Sequence, residues 1–277
     1  MNTEDRPQQI KSAQGDCYFG LVRAGKPHGK GTLVSVDGNV YEGMFEDGKR
    51  HGQGKITMAN EYTYEGMWKE GVPSGTGREV SAQGDIYDGE FLLGKKNGKG
   101  KLVKKDGIVY DGNWIDGQPH GYMVVEQDEG IRFEGVYNHG CQHGDGKMTH
   151  PDGSIFQGNF VQGERSSGKH TTADGEVYEG EFYENMRHGY GKLHTTTGTI
   201  YEGHFRNGIP HGTGKCIDAD GDVYHGDFNQ GKRAGQGKLT QANGKIYEGA
   251  WVDDKPHGQV KETKENGDCF EGEFVRG

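Results

Sequence analysis

An aromatic residue followed by any residue and then glycine returns down this chain at a nearly constant spacing. Such units begin at Tyr18, Tyr41, Tyr64, Tyr87, Tyr110, Phe133, Phe156, Tyr178, Tyr201, Tyr224, Tyr247 and Phe270. Ten of the eleven intervals are 23 residues, and the one from Phe156 to Tyr178 is 22. A fixed period of this size marks a repeat array, in which each unit buries its apolar face only against its neighbours. Composition sets the same limit. With 52 Gly among 277 residues and only 30% hydrophobic residues, the chain cannot fill one large core. The formal charge of -10 is small for the length, and the 14 Tyr, 11 Phe and 3 Trp fall at regular positions, so disorder is not the reading either. The aromatic residues must support something thin and elongated.

Within a unit, "VYEGMF" alternates as a strand does, and "GQGKIT" follows after the polar stretch "EDGKRH". Asp-Gly and Asn-Gly pairs between such segments signal hairpins, because glycine takes positive φ without steric cost. The expected fold is all-β: an elongated, single-layer, twisted antiparallel meander built from about twelve 23-residue β-hairpin repeats. Residues 1–14 read as a polar tail and 15–277 as the array, with a partial unit at Phe270. Residue types suggest a register with Phe45 opposite Gly52, Gly43 opposite Gly54, Glu42 opposite Lys55 and Tyr41 opposite Ile56. That register lays rings over bare glycines on one face, which shields strand glycine.

On the other face it sets acid against base. The acid position holds Glu42, Glu65, Asp88, Asp111, Glu134, Glu179, Glu202, Glu248 and Glu271; the facing position holds Lys55, Arg78, Lys101, Lys147, Lys169, Lys192, Lys215, Lys238 and Lys261. Cross-strand opposite charges each contribute a few tenths to about 1 kcal/mol, so the lysine row reads as a structural ladder and not as a nucleic-acid surface.

"YEGMFEDGKRHGQGKITMANEY" and its copies resemble MORN (membrane occupation and recognition nexus) repeats over about residues 15 to 277. The resemblance implies an elongated single-layer antiparallel sheet with an aromatic-lined groove. It also implies non-enzymatic roles: scaffolding, cytoskeletal or ciliary assembly, self-association, and contact with phosphoinositides. Several units depart from the pattern. The one from Phe156 reads "FQGNFVQGERSSGKH", has lost His-Gly-x-Gly and one residue, and predicts a bulge or kink near Arg165 to Gly168. Met123 and Val260 stand where a second Gly belongs, and Phe19 replaces the acid of the first unit.

Candidate sites follow from these rows. A single layer leaves the rings uncovered, so Tyr41, Phe45, Tyr64, Trp68, Tyr87, Phe91, Tyr110, Trp114, Tyr178, Phe182, Tyr201 and Phe205 are expected to line a groove for a helical or extended peptide of a partner protein. The end residues Tyr247, Trp251, Phe270 and Phe274 are candidates for self-association into a homodimer. Lys95, Lys96, Lys99, Lys104 and Lys105 form the basic patch that would meet acidic phospholipid. "HGCQH" offers His139, Cys141 and His143 as a weak metal candidate, since the spacing lacks a fourth donor. Seven histidines (His28, His51, His120, His143, His188, His211 and His257) share one loop position, whereas catalysis wants a unique constellation. No catalytic residue and no cofactor is expected. The polar N-terminus shows no signal peptide, the four cysteines are scattered, and no apolar run is long enough to span a bilayer, so a cytoplasmic protein, associated with cytoskeleton or membrane surface, is expected. A scaffold that self-associates and binds partner proteins is the leading reading, and a peripheral module for phosphoinositides the alternative. A carbohydrate- or choline-binding array fits less well with the Tyr-Glu-Gly motif and the 23-residue period.

Overall fold

A computed structural model describes residues 7–127 and 129–275. Its elements are 24 β-strands, from Gln8–Lys11 to Cys269–Phe274. The chain divides into two units, Met1–Cys141 and Gln142–Gly277. In each, strands adjacent in sequence pair antiparallel, so each is an open meander of hairpins. Every full repeat contributes a seven-residue forward strand such as Val40–Glu46 and, in most, a nine-residue return strand such as Lys49–Thr57.

The hairpin turn is local chemistry. Asp47 and Gly48 have φ of 48° and 85°, and the two turn residues of the other described hairpins are likewise positive. Two positive φ values define the I′ turn, whose twist matches that of the strands it joins. The amide of Gly48 donates to Pro27 O at 2.9 Å, and Gly71 to Arg50 O at 2.9 Å, so each turn is tied to the preceding return strand.

The expected register holds for three of its four pairs. Tyr41 faces Ile56, Glu42 faces Lys55 and Gly43 faces Gly54, but Phe45 faces Arg50. A two-residue turn puts Glu46 against Lys49, two places out of step with the glycine pair. A bulge of two extra residues, Gly52 and Gln53, absorbs the difference between Gly43 and Met44. Gly52 is paired in register with Trp68 on the following strand, as Gly29 is with Phe45. The second aromatic of a repeat is therefore in register with glycine only across neighbouring hairpins. The bulge expected at Arg165 to Gly168 is present but is the smaller version of a regular feature. Asn159 faces Ser167 and Phe160 faces Arg165, leaving one extra residue where other hairpins have two, which accounts for the 22-residue interval.

The rings themselves are the core, against the expectation of an uncovered groove. Tyr41 is 2% exposed, Tyr64 0%, Trp68 3% and Phe205 3%. They are covered because they tile edge to face. Tyr41 lies 5.1 Å from Phe45 at 87° and 5.1 Å from Trp68 at 82°, and the second unit repeats this with Tyr201 between Phe205 and Phe228, both at 5.0 Å. Each such pair adds about 0.5–1.5 kcal/mol beyond area burial. The glycine pair forms the slot for the phenol. A Cβ on Gly54 would sit 2.1 Å from Tyr41 Oη, and one on Gly100 the same distance from Tyr87 Oη. Seated there, Tyr41 donates to Met44 O at 3.0 Å and Tyr87 to Glu90 O at 3.1 Å.

Candidate functional site

One position decides which groups lie over the rings. The residue opposite the second aromatic is Arg50 for Phe45, Lys96 for Phe91, Arg165 for Phe160, Arg187 for Phe182 and Arg233 for Phe228. It is proline opposite Trp68, Trp114 and Trp251. These cations lie on the rings: Arg50 is 4.4 Å from the Trp68 centroid, Arg233 4.9 Å from that of Trp251, and Lys96 5.1 Å from that of Tyr87. Each such contact is worth about 0.5–2 kcal/mol, rising as the cation is desolvated. The tryptophans also donate from Nε1 to Gly54 O, Gly100 O and Gly237 O at 2.9–3.0 Å. Sequence reading missed this row. Its signal, proline or a long cation immediately before the position that holds the repeat histidine in other copies, is legible once the bulge is known.

Burial tunes the groups on this face. Desolvation pushes the Tyr41 phenol up to about 12, with Arg50 opposing, and it pulls the Arg50 guanidinium down. Lys96 pairs with Glu79 at 3.0 Å, with side chains only 20% and 17% exposed, and Tyr62 donates to the same carboxylate at 3.2 Å. A cleft beside Arg50 is lined by Leu33, Tyr41, Phe45, Ile56 and Met58.

The opposite face carries the ladder, with a direction that was not foreseen. Lys55 bonds Glu65 at 3.5 Å, Arg78 bonds Asp88 at 3.2 Å, Lys192 bonds Glu202 at 3.6 Å and Lys238 bonds Glu248 at 3.3 Å. Each base reaches the acid of the next repeat and not that of its own hairpin, so Lys101 meets Asp111 at 3.9 Å and not Asp88. These pairs are solvent-exposed and individually weak. The row is interrupted where Val124 stands between Asp111 and Glu134. There Tyr122 and Val136 face each other, 57% and 38% exposed, and Tyr122 lines a cleft with Lys99, Val109 and Arg132.

The substitutions for glycine disturb the core locally. Met123 fills the slot opposite Gly112 and is fully buried. Tyr110 is left half-buried, and its ring lies 6.4 Å from Trp114. Val260 opposite Gly249 does the same to Tyr247, which sits 6.4 Å from Phe274.

The other expected site residues fall as follows. Of the groove residues, all but Tyr110 are interior. Among the end residues Trp251 is buried, Tyr247 is half-buried, and Phe270 is 56% exposed against Phe274 at 6.1 Å. The basic patch is dispersed: Lys95 bonds Asp116 at 3.2 Å, Lys96 turns to the ring face, and Lys104 lies 3.9 Å from Asp106. Lys99 and Lys105 are exposed. His139 stacks on His120 at 5.2 Å and Cys141 is exposed. Among the described residues no group of three or more His, Cys, Asp or Glu side chains could hold a metal ion. Among the same residues no helix is long and apolar enough to cross a membrane.

These features define a class: open antiparallel meanders whose hairpins are cemented by a zipper of rings in glycine slots. The MORN repeat model matches residues 18–40, 41–61, 64–86, 87–109, 110–122, 133–155, 178–200, 201–223, 224–246 and 247–269. The chain belongs to the MORN repeat family. The stretch between 155 and 178, which holds the shortened repeat, lies outside those matches. No curated protein matches the sequence. Among solved structures, the SAS-4 (dCPAP) TCP domain of Drosophila melanogaster, in complex with a proline-rich motif of Ana2 (dSTIL), is similar at TM-score 0.34 and 10% identity, covering 72% of this chain and 90% of that one. The TCP10 domain of Danio rerio CPAP, in complex with a peptide of Danio rerio STIL, is similar at TM-score 0.24 and 12% identity, covering 97% and 100%. A streptogramin B lyase is similar at TM-score 0.15 and 15% identity, covering 99% and 85%.

Proposed function

We propose that this chain is a non-enzymatic scaffold that holds partner proteins on its sheet faces and self-associates, in the service of cytoskeletal or ciliary and flagellar assembly. The observation that supports it best is the break in the ladder. Tyr122 and Val136 are exposed side by side where Val124 replaces a base, with Lys99, Asp111 and Arg132 around Tyr122. An aromatic–aliphatic pair ringed by both charge signs suits a short extended or helical segment carrying one apolar anchor, because the buried centre of an interface supplies most of its energy. The ring face contributes in another way, since its aromatic residues are interior and its accessible groups are the cations laid over them.

The test is photo-crosslinking from a benzoylphenylalanine placed at Tyr122, with the same probe at Lys192 as a control. A crosslinked protein found only with the first probe is then purified. Its affinity should fall about tenfold or more for Tyr122→Ser with Val136→Ser, in keeping with loss of a central anchor. Equal affinity for that variant would remove this surface from the proposal. Self-association through the exposed Phe270 predicts a concentration-dependent sedimentation coefficient that Phe270→Glu abolishes; identical sedimentation of both proteins at every concentration would refute it.

A further inference from the structure

The shortened repeat and the residues beside it gather a group of cations and imidazoles. Arg165 is half-buried on the ring face, its guanidinium 4.9 Å from the centroid of Phe156. Its relatives in the same row are neutralised: Lys96 by Glu79 at 3.0 Å, Arg187 by Glu176, and Arg233 by Asp254 at 3.4 Å. Among the described residues no carboxylate pairs with Arg165. Its Nη2 instead lies 3.2 Å from His150 Nε2 and 3.9 Å from Met148 Sδ. Across the strands, His170 stands between Phe156 and Tyr178 in register, where most other repeats carry an aliphatic residue. Burial first, and then Arg165, Arg187 and His150, lowers the pKa of His170, with Glu176 acting the other way. Two guanidiniums, two imidazoles and one carboxylate therefore share a small half-buried region of the second unit. Arg50 is the other member of the row without a carboxylate, but Leu33, Ser35 and Met58 line its cleft in place of imidazoles.

A guanidinium seated on a ring with no carboxylate partner, only its Nη2 turned to an imidazole, keeps its remaining donors for an anionic acceptor. A half-buried charge without a counter-ion also gains more from one than an exposed charge does. We propose that Arg165, with His150, His170 and Arg187, forms a binding site for a phosphate monoester, supplied as a phosphorylated side chain of a partner protein. The proposal rests on the reading that partner proteins bind this chain. A phosphorylated residue is favoured over a membrane headgroup because the cations here are recessed among rings, whereas a bilayer meets exposed, projecting lysines. A dianion is favoured over a carboxylate because His170, held neutral by burial and by the neighbouring cations, can take up a proton against its second charge.

The probe is O-phospho-L-serine, followed by the methyl resonance of Met148 in the full chain and by calorimetry in two buffers of different ionisation enthalpy. The expected result is a saturable shift of Met148, net proton uptake, and tighter binding than acetate at equal ionic strength. Arg165→Met should weaken binding by about ten- to a hundredfold, the loss of one charge-assisted contact. His170→Gln should abolish most of the proton uptake, while Arg50→Met leaves both unchanged. Circular dichroism confirms that each variant is folded, and Arg165→Lys, which keeps the charge but loses the fork, should fall between. Affinity unaltered by Arg165→Met, or no preference over acetate, overturns the site. Flotation with vesicles of phosphatidylcholine and phosphatidylinositol 4-phosphate, without phosphoserine binding, overturns it in favour of a membrane ligand. If phosphoserine fails while the crosslink from position 122 stands, the phosphate site is refuted and the scaffold reading survives.

Discussion

Replacing Gly54 by alanine tests the core most directly. A methyl group there would lie 2.1 Å from Tyr41 Oη and 2.5 Å from its Cζ, far inside contact distance, so the ring must leave its slot. Gly54 does not have a positive φ, and the effect is therefore packing and not backbone strain. Withdrawal loses the hydrogen bond from Tyr41 to Met44 O, about 0.5–1.5 kcal/mol, and weakens two edge-to-face contacts of about 0.5–1.5 kcal/mol each. Met123 and Val260 show that a side chain at this place is accommodated by partial withdrawal, with ring separations near 6.4 Å in place of about 5.1 Å. Roughly 3 kcal/mol is then expected, with the added methyl's own burial returning a small part. Because repeats contact only neighbours, the loss should be local. Hydrogen exchange read by mass spectrometry should show protection over residues 41–68 falling about a hundredfold, with the strands after 178 unchanged. The double variant Tyr41→Ala with Gly54→Ala should cost well under the sum of the singles, because the methyl no longer meets a ring. Protection within threefold of the parent protein, or strict additivity, would refute the slot as the reason for the glycine.

Three further outcomes follow from the same structure. Tyr41, Tyr64, Tyr178 and Tyr224 are pushed up to about 12 by burial from an ordinary value of 10.0. Their neutral form is favoured in the folded state, so the stability linked to them is complete below pH 10 and is lost between about pH 10 and 12. Absorbance at 295 nm should therefore report these phenols together with loss of circular dichroism, and gradual ionisation near pH 10 with the sheet intact would contradict it. Lys96→Met leaves Glu79 and the Tyr62 hydroxyl without their cation in a half-buried place, and should cost about 2–3 kcal/mol in urea unfolding. The double variant with Glu79→Met should recover most of that, and a double variant as unstable as the single would refute the pairing. Finally, Lys95 and Lys96 are already bound to carboxylates and Lys104 lies near one, so flotation on vesicles with acidic phosphoinositides is expected to leave the protein unbound at near-physiological salt. Flotation abolished by Lys95→Glu, Lys96→Glu and Lys99→Glu would restore the phospholipid reading.

What the sequence determined by itself is the unit and its count. The 23-residue spacing, the alternation in "VYEGMF" and the turn pairs such as Asp47-Gly48 are local, and local φ preferences with period-two alternation are enough to write a hairpin. The pairs Glu42–Lys55 and Gly43–Gly54 were legible for the same reason. The pairing of Phe45 was not, because a residue in a meander has two neighbours, and Phe45 is in register with a glycine, Gly29, only on the preceding strand. Nothing in one repeat reveals the two-residue bulge, which exists to reconcile a two-residue turn with the glycine register. Only the tertiary structure decided which face could be a surface. Ring exposure depends on how adjacent hairpins lean together, and edge-to-face tiling at about 5 Å closes the row that a flat sheet would leave open. The same packing made Arg50, Lys96 and Arg165 the accessible groups of that face. An unpaired Arg165 beside His150 could be recognised only once the return strand Glu164–Thr171 had been laid along the strand Ile155–Val161 and beside the turn at residue 150.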